Sequence, residues 1–240
     1  MTPAAWEAFW RFVLPFAVAA VLAVADWLAV WAGGTAGRRV ERVAKPGVLV
    51  ALIAAAALVT PITPEARAAQ PWLVAGLVAS LAGDVLLLPP GRFVPGLGAF
   101  LVAHLAYLVA FLQLPGEEAW LVAGVAAALV AMATVGRVLV RAATRSGLGL
   151  PVGAYLVAIC AMAVAATRTG GTAAIAGAWL FVASDALLGW GRLREPRPGL
   201  PRGGGRAQRV AVHATYHVAQ ALIVLALAGF GVAEAVAGGG

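Results

Sequence analysis

The chain has few charged residues and only one cysteine, and each shortage excludes a class of protein. Charged residues make up 11% of the 240 residues, whereas hydrophobic residues make up 62%; soluble domains average about 25% charged. Because so apolar a chain cannot cover itself with a water-compatible surface, residues 1–240 are predicted to form a single integral membrane domain. The lone Cys160 excludes disulfides and cysteine-based metal sites as organising features.

The charged residues that are present are mostly basic. The chain holds 17 Lys and Arg against 10 Asp and Glu, which gives a formal net charge of +7. In a soluble protein this balance would favour nucleic-acid binding. Here the arginines collect between apolar runs, where they would face the negatively charged cytoplasmic leaflet. Membrane lipids are therefore the expected partners, and no nucleic acid is expected.

The apolar runs, divided by Pro, Gly and Arg, leave room for seven or eight crossings at about 20 residues each. The predicted fold class is all-α, a polytopic membrane bundle of about eight transmembrane helices. A flexible basic cytoplasmic loop is expected over 191–207 and a disordered tail over 236–240. The predicted helices cover 10–32, 46–60, 71–88, 95–114, 118–140, 149–168, 172–190 and 208–233.

Positive residues are strongly biased to one side of this bundle. Of the 17 lysines and arginines, all but Arg11, Arg67 and Arg168 lie at or beside the loops that follow helices 1, 3, 5 and 7. The positive-inside rule places these loops in the cytoplasm and both termini outside. A multi-pass protein of the cell inner membrane or plasma membrane is expected.

Two aspartates lie inside apolar runs, Asp84 in LVASLAGDVLLL and Asp185 in LFVASDALLGW. A carboxylate at membrane depth is costly, so such residues mark candidate functional sites. In the predicted orientation both lie in the cytoplasmic third of their helices. Two carboxylates that face one cavity would repel, which favours a protonated acid beside an ionised base, as acid–base catalysis requires. The alternative is a structural aspartate paired with Lys45 or an arginine.

Other polar residues fall at similar depth. His213 and His217 share one helix face and could bind zinc, but a third ligand is not fixed, and interhelical hydrogen bonding is the favoured interpretation. Lys45, before Pro46 at the predicted start of helix 2, would neutralise a carboxylate, meet a lipid phosphate or simply extend to the membrane surface. Asp26 is interpreted as a near-surface anchor rather than a catalyst.

Together these residues resemble the lysoplasmalogenase family of membrane proteins, the YhhN-like family. The resemblance runs over residues 45 to 225 and depends on the order and spacing of short pieces rather than on one motif. Two features depart from the family pattern: the loop 191–207 is longer and more basic, and His217 follows Tyr216 where a second aromatic is usual. The matching pieces are Lys45-Pro46, Ser80-Leu-Ala-Gly-Asp84, Phe93, Gly96-Leu-Gly-Ala-Phe100, Ala103-His104, Tyr107, Tyr155, Gly177-Ala178, Phe181-Val-Ala-Ser184-Asp185, Thr215-Tyr216 and Ala219-Gln220.

The resemblance implies an eight-helix fold and hydrolysis of the vinyl ether bond of lysoplasmalogens to a fatty aldehyde and a glycerophospho-head-group. It implies Asp84 and Asp185 as catalytic residues and does not imply a metal; no cofactor is expected. The chemistry suits two carboxyl groups, since one acid protonates the β-carbon and one carboxylate stabilises the oxocarbenium ion and activates water, much as in glycosidases. The sequence leaves the two roles unassigned, and the drier aspartate is expected to be the acid.

Further side chains are expected to orient water or the head-group of the lysophospholipid substrate, or to attract its phosphate. They are Lys45, Ser80, His104, Tyr107, Tyr155, Ser184, Tyr216, His217 and Gln220, and arginines near Lys45 are expected to attract the phosphate as well. Two other functions stay open: a proton-coupled transporter that uses the same aspartates as a relay, and a His-dependent metal hydrolase of lipids. The sequence also leaves open the head-group preference and whether the chain forms a homodimer.

Overall fold

The computed structural model describes residues 3–61, 63–193 and 205–237, and no strand occurs within these ranges. The predicted all-α membrane bundle is confirmed. One helix, the fifth, contains a π-helical turn at Met132–Gly136. The eight helices are α1 (Pro3–Ala32), α2 (Gly34–Leu58), α3 (Pro64–Leu87), α4 (Phe93–Leu112), α5 (Glu118–Thr144), α6 (Gly149–Arg168), α7 (Thr172–Leu193) and α8 (Arg206–Ala237).

Seven of these helices are long and apolar enough to cross a membrane, and α2 is the exception because its first half is polar. Large apolar side chains are exposed along the outside of the bundle, for example Val21 and Leu28 on α1 and Leu129 and Val130 on α5. Such a surface suits contact with lipid. A multi-pass membrane protein is therefore confirmed, while the identity of the membrane and the side of the termini stay predictions.

The predicted start of helix 2 at residue 46 is wrong. The helix begins at Gly34, so Pro46 lies in its interior rather than in its first turn. The stretch GTAGRRVERVAK is too polar to count as an apolar run, yet it packs closely on α1. A Cβ atom on Gly37 would lie 2.5 Å from the backbone oxygen of Ala29, so only glycine permits this approach.

Other helix ends differ from the prediction by smaller amounts. Helix α3 begins at Pro64 rather than 71, because the Thr63 hydroxyl accepts a hydrogen bond from the Ala66 backbone N–H at 3.1 Å and caps the helix. Helices α7 and α8 extend into the predicted loop 191–207, and residues 194–204 of that loop lie outside the described residues. Helix α8 reaches Ala237, and residues 238–240 of the predicted tail also lie outside them.

Helix α8 occupies the centre of the polar half of the bundle. It packs most extensively on α7 and also contacts α1, α2 and α3. Fully buried alanines, among them Ala103, Ala166, Ala178 and Ala219, let the helices approach closely. As a result, polar side chains from α1, α2, α3, α7 and α8 are brought together at one end of the bundle.

Candidate active site

A partly open cavity of about 450 Å³ lies between α2, α3, α7 and α8, and both Asp84 and Asp185 line it. Its rim carries the exposed side chains of Arg38, Arg42, Arg192 and Arg206. The polar side chains that line the cavity besides the aspartates are Arg38, Glu41, Arg42, Lys45, Ser184, Arg192, Arg206, Arg209, His213 and Tyr216.

Asp84 is fully buried and its charge is compensated. Lys45 Nζ lies 3.0 Å from Asp84 Oδ1, and Tyr216 Oη donates a hydrogen bond to Asp84 Oδ2 at 2.9 Å. The Lys45 ammonium also lies 5.9 Å from the centre of the Tyr216 ring, within the range of a cation–π contact. Because Lys45 lies inside α2, the early start of that helix is what fixes this ammonium over the carboxylate.

Asp185 has different partners. Tyr155 Oη, from α6, donates a hydrogen bond to Asp185 Oδ2, and His104 Nε2, from α4, lies 3.6 Å from the same oxygen. Among the described residues no lysine or arginine nitrogen lies within 4.0 Å of this carboxyl group. Its side chain is 12% exposed, compared with 0% for that of Asp84. Asp185 is therefore slightly wetter than Asp84 but lacks a comparable cation.

A second set of buried polar groups lies behind Asp84. Tyr107 Oη donates to Gln220 Oε1 at 2.7 Å and lies 3.4 Å from Ser80 Oγ. All three side chains are fully buried and none lines the cavity. They join α3, α4 and α8 directly beneath the site.

The two histidines of α8 have separate partners on α1. His213 Nδ1 lies 2.6 Å from Asp26 Oδ2, and His217 Nδ1 accepts a hydrogen bond from Trp27 Nε1 at 3.1 Å. The two histidines thus make hydrogen bonds between α8 and α1. In the described part of the chain, no group of three His, Cys, Asp or Glu is arranged to hold a metal ion. Asp26, interpreted from sequence as a near-surface anchor, is instead fully buried.

The predicted site residues divide into two groups. Lys45, Asp84, Ser184, Asp185 and Tyr216 line the cavity. The others do not: Tyr155 and His104 contact Asp185 from behind, Ser80, Tyr107 and Gln220 form the cluster below Asp84, and His217 bonds to Trp27. The roles of all these residues in catalysis or substrate binding stay predictions.

Apart from Lys45, the prediction names none of the residues that the first half of α2 contributes. Arg38, Glu41 and Arg42 line the cavity together with Lys45. Their spacing, i, i+3, i+4 and i+7, is the signature of one helix face, so the signal was present in the sequence. The predicted helix, which begins at residue 46, does not include this face. Both Glu41 carboxylate oxygens accept from Arg209 Nη2, at 2.8 and 2.9 Å.

Comparison with known proteins gives the relationship of this chain. It is 39% identical over 153 residues to the lysoplasmalogenase of Mycobacterium tuberculosis (strain CDC 1551 / Oshkosh). This alignment covers 60% of this chain and 57% of the relative. It is also 34% identical over 153 residues to lysoplasmalogenase TMEM86B of Homo sapiens, and this second alignment covers 64% of this chain and 62% of the relative.

The chain therefore spans about 60% of the length of the curated relatives it matches. No solved structure matches it. The YhhN family matches residues 40–227, a range that includes both aspartates and Lys45. The resemblance drawn from the residues alone is confirmed, and the chain belongs to the YhhN family.

Proposed function

We propose that the chain is a membrane-embedded hydrolase that cleaves the vinyl ether bond of lysoplasmalogens, releasing a fatty aldehyde and a glycerophospho-head-group. The observation that carries the proposal is that Asp84 and Asp185, far apart in sequence, line one cavity with unlike charge partners. Membership of the YhhN family and the names of its relatives support the choice of substrate.

The charge partners support one division of the two roles. Burial alone would make Asp84 the acid, since it is the drier of the two. However, opposite unit charges about 4 Å apart attract by roughly 4 kcal/mol at an effective dielectric constant of about 20, and Lys45 is closer than that. Asp84 is therefore the ionised carboxylate that stabilises the oxocarbenium ion. Asp185, held by Tyr155, is the acid that protonates the β-carbon.

The rim and wall of the cavity suit the rest of the substrate. Four rim arginines, Arg38, Arg42, Arg192 and Arg206, have no carboxylate within 4.0 Å among the described residues and would bind the phosphate of the head-group. Apolar side chains such as Phe100 also line the cavity, and the single hydrocarbon chain would enter sideways from the lipid and lie among the helices. In this position the vinyl ether bond of the lipid would lie next to the two aspartates.

The test is aldehyde release from lysoplasmalogen by the purified protein in detergent. Asp84→Asn and Asp185→Asn should each abolish release while the helical circular dichroism stays unchanged. The matched control is Glu65→Gln, which removes an exposed carboxylate in the first turn of α3 and should keep full activity. Aldehyde release that survives either aspartate change, or is absent from the unaltered protein, would overturn the proposal.

A proton-coupled transporter is the second candidate. The observation that favours it is that Asp84 and Asp185 face one cavity, since carboxyl groups within membrane-spanning helices can form a proton relay. Proton-driven solute uptake by proteoliposomes, abolished by Asp84→Asn, together with no aldehyde release, would select this function. A metal-dependent hydrolase predicts instead that chelators remove the hydrolytic activity.

A further inference from the structure

The proposed reaction makes no use of a buried acid–base pair at the same cavity. His213 lines the cavity, and its Nδ1 atom lies 2.6 Å from Oδ2 of the fully buried Asp26. At that distance one proton must lie between the two atoms, because two acceptors would repel. Burying an aspartate in a membrane-spanning helix is costly, so Asp26 and the cavity histidine bonded to it mark a candidate functional pair.

The hydrogen bond to Asp26 determines what the other ring nitrogen can do. For His213 to act as a base through its other ring nitrogen, the shared proton must lie on Nδ1, with the Asp26 carboxylate as its acceptor. In the neutral ring Nε2 then carries the lone pair. Glu41 Oε1 lies 4.0 Å from this Nε2, but both Glu41 oxygens are bound to Arg209. Asp26 is therefore the carboxylate that would stabilise the ring once it gains a proton, against the nearby charges of Lys45 and Arg209.

The position of His213 along α8 matches a particular part of the substrate. Arg209, His213 and Tyr216 lie on one face of the helix and all line the cavity. His213 is about 4.5 Å along the axis from Tyr216, which holds Asp84, and it lies on the side of Arg209. A lipid whose phosphate meets the rim arginines would therefore place its glycerol oxygen and the attacking water next to His213.

We propose that His213 is the base that takes a proton from the water attacking the oxocarbenium ion, and that Asp26 is the positioning residue that orients its ring. This inference rests on the proposed function. It adds a third group to the two aspartates and divides the proton transfers between Asp185 and His213.

The proton transfers balance over one turnover. Asp185 first gives its proton to the β-carbon, and the carbon–carbon π electrons form the new C–H bond, leaving the oxocarbenium ion. Water then adds to the cationic carbon and His213 Nε2 takes one of its protons, which yields a hemiacetal. Finally the bond to the glycerol oxygen breaks, that oxygen takes the proton of His213, and the hemiacetal hydroxyl returns a proton to Asp185.

The experiment follows hydrolysis in D2O and measures both aldehyde release and deuterium in the recovered lysoplasmalogen. Without His213 the oxocarbenium ion is hydrated slowly and returns its β-proton to Asp185, so exchange appears in the unreacted substrate. His213→Gln should lower aldehyde release by about 100-fold and show this exchange. Asp26→Asn should show the same signature, and the double variant should be no slower than His213→Gln alone.

Controls separate the chemical role from a structural one. Thr215→Val removes a hydroxyl on the same helix that, among the described residues, donates to the backbone carbonyls of Ala211 and Val212, and it should leave both readouts unchanged. Exchange in a slow variant requires a folded site with a working Asp185, so misfolding cannot imitate it. Full aldehyde release by His213→Gln, or reduced release without exchange, overturns the inference. No release by the unaltered protein instead overturns the proposed function and this inference with it.

Discussion

Asp84 and Asp185 occupy corresponding places in two similar stretches of sequence, yet their carboxyl groups meet different partners. Each follows a small residue and precedes a pair of leucines after one intervening residue. Asp84 has the ammonium of Lys45 at 3.0 Å and a hydrogen bond from Tyr216. Asp185 has a hydrogen bond from Tyr155 and His104 nearby, but no comparable cation among the described residues.

Neighbours on other helices, rather than the local motif, therefore distinguish the two acids. Lys45 comes from α2 and Tyr155 from α6, and among the described residues neither helix makes a counterpart hydrogen bond or ion pair with the other aspartate. A pair of carboxyl groups can perform acid and base chemistry only when their surroundings favour different protonation states. Removing the partners one at a time should therefore reveal how unequal the two sites are.

The largest effect is expected from removing the cation of Asp84. Lys45→Met leaves a buried carboxylate uncompensated, and breaking such a pair costs about 3–5 kcal/mol. The free energy of unfolding, measured by titrating detergent-solubilised protein with sodium dodecyl sulfate, should fall by that amount. Adding Asp84→Asn to Lys45→Met should recover much of the stability without restoring aldehyde release. A double variant as unstable as Lys45→Met alone would contradict the ion-pair explanation.

The sequence alone predicts the transmembrane helices and the two aspartates, but it does not predict the partners of each aspartate. Long apolar runs predicted the transmembrane helices well, and for α6 the predicted range 149–168 coincides with Gly149–Arg168. The cost of a carboxylate in lipid was enough to select Asp84 and Asp185 as candidates. These features could be predicted because each depends only on the composition of a single segment.

The partners of each aspartate could not be predicted in this way. Which side chain meets Asp185 depends on the rotation of α6 and α7 about their own axes, and one sequence does not report it. The contact of Asp26 with His213 likewise depends on how α1 packs against α8. The polar start of α2 was missed because hydropathy does not detect a helix whose charged face lines a cavity, although the spacing of Arg38, Glu41, Arg42 and Lys45 would have revealed it.

An intermediate effect is expected from the two tyrosines. Tyr155→Phe removes the hydrogen bond that orients Asp185, and misplacing a catalytic group by about 1 Å can lower the rate roughly 100-fold. Tyr216→Phe should cost less activity, because Lys45 still holds Asp84. Each change should lower the free energy of unfolding by no more than about 1.7 kcal/mol, the upper end for hydrogen bonds between membrane helices. Comparison of kcat for the two variants checks this order, and a reversed order would contradict the role assigned to Lys45.

The smallest effect should separate the two serines that accompany the aspartates. Ser184 Oγ donates to the Val212 carbonyl at 3.0 Å and ties α7 to α8, whereas Ser80 Oγ lies 3.4 Å from Tyr107 Oη, too far for a strong bond between hydroxyls. Ser184→Ala should therefore lower the free energy of unfolding by about 0.6 kcal/mol, a typical value for such bonds, and Ser80→Ala by less. Both variants should keep most of their aldehyde release, because neither hydroxyl touches a carboxyl group. Equal losses of stability would contradict this prediction. They would mean that the two serines, unlike the two aspartates, have equivalent surroundings.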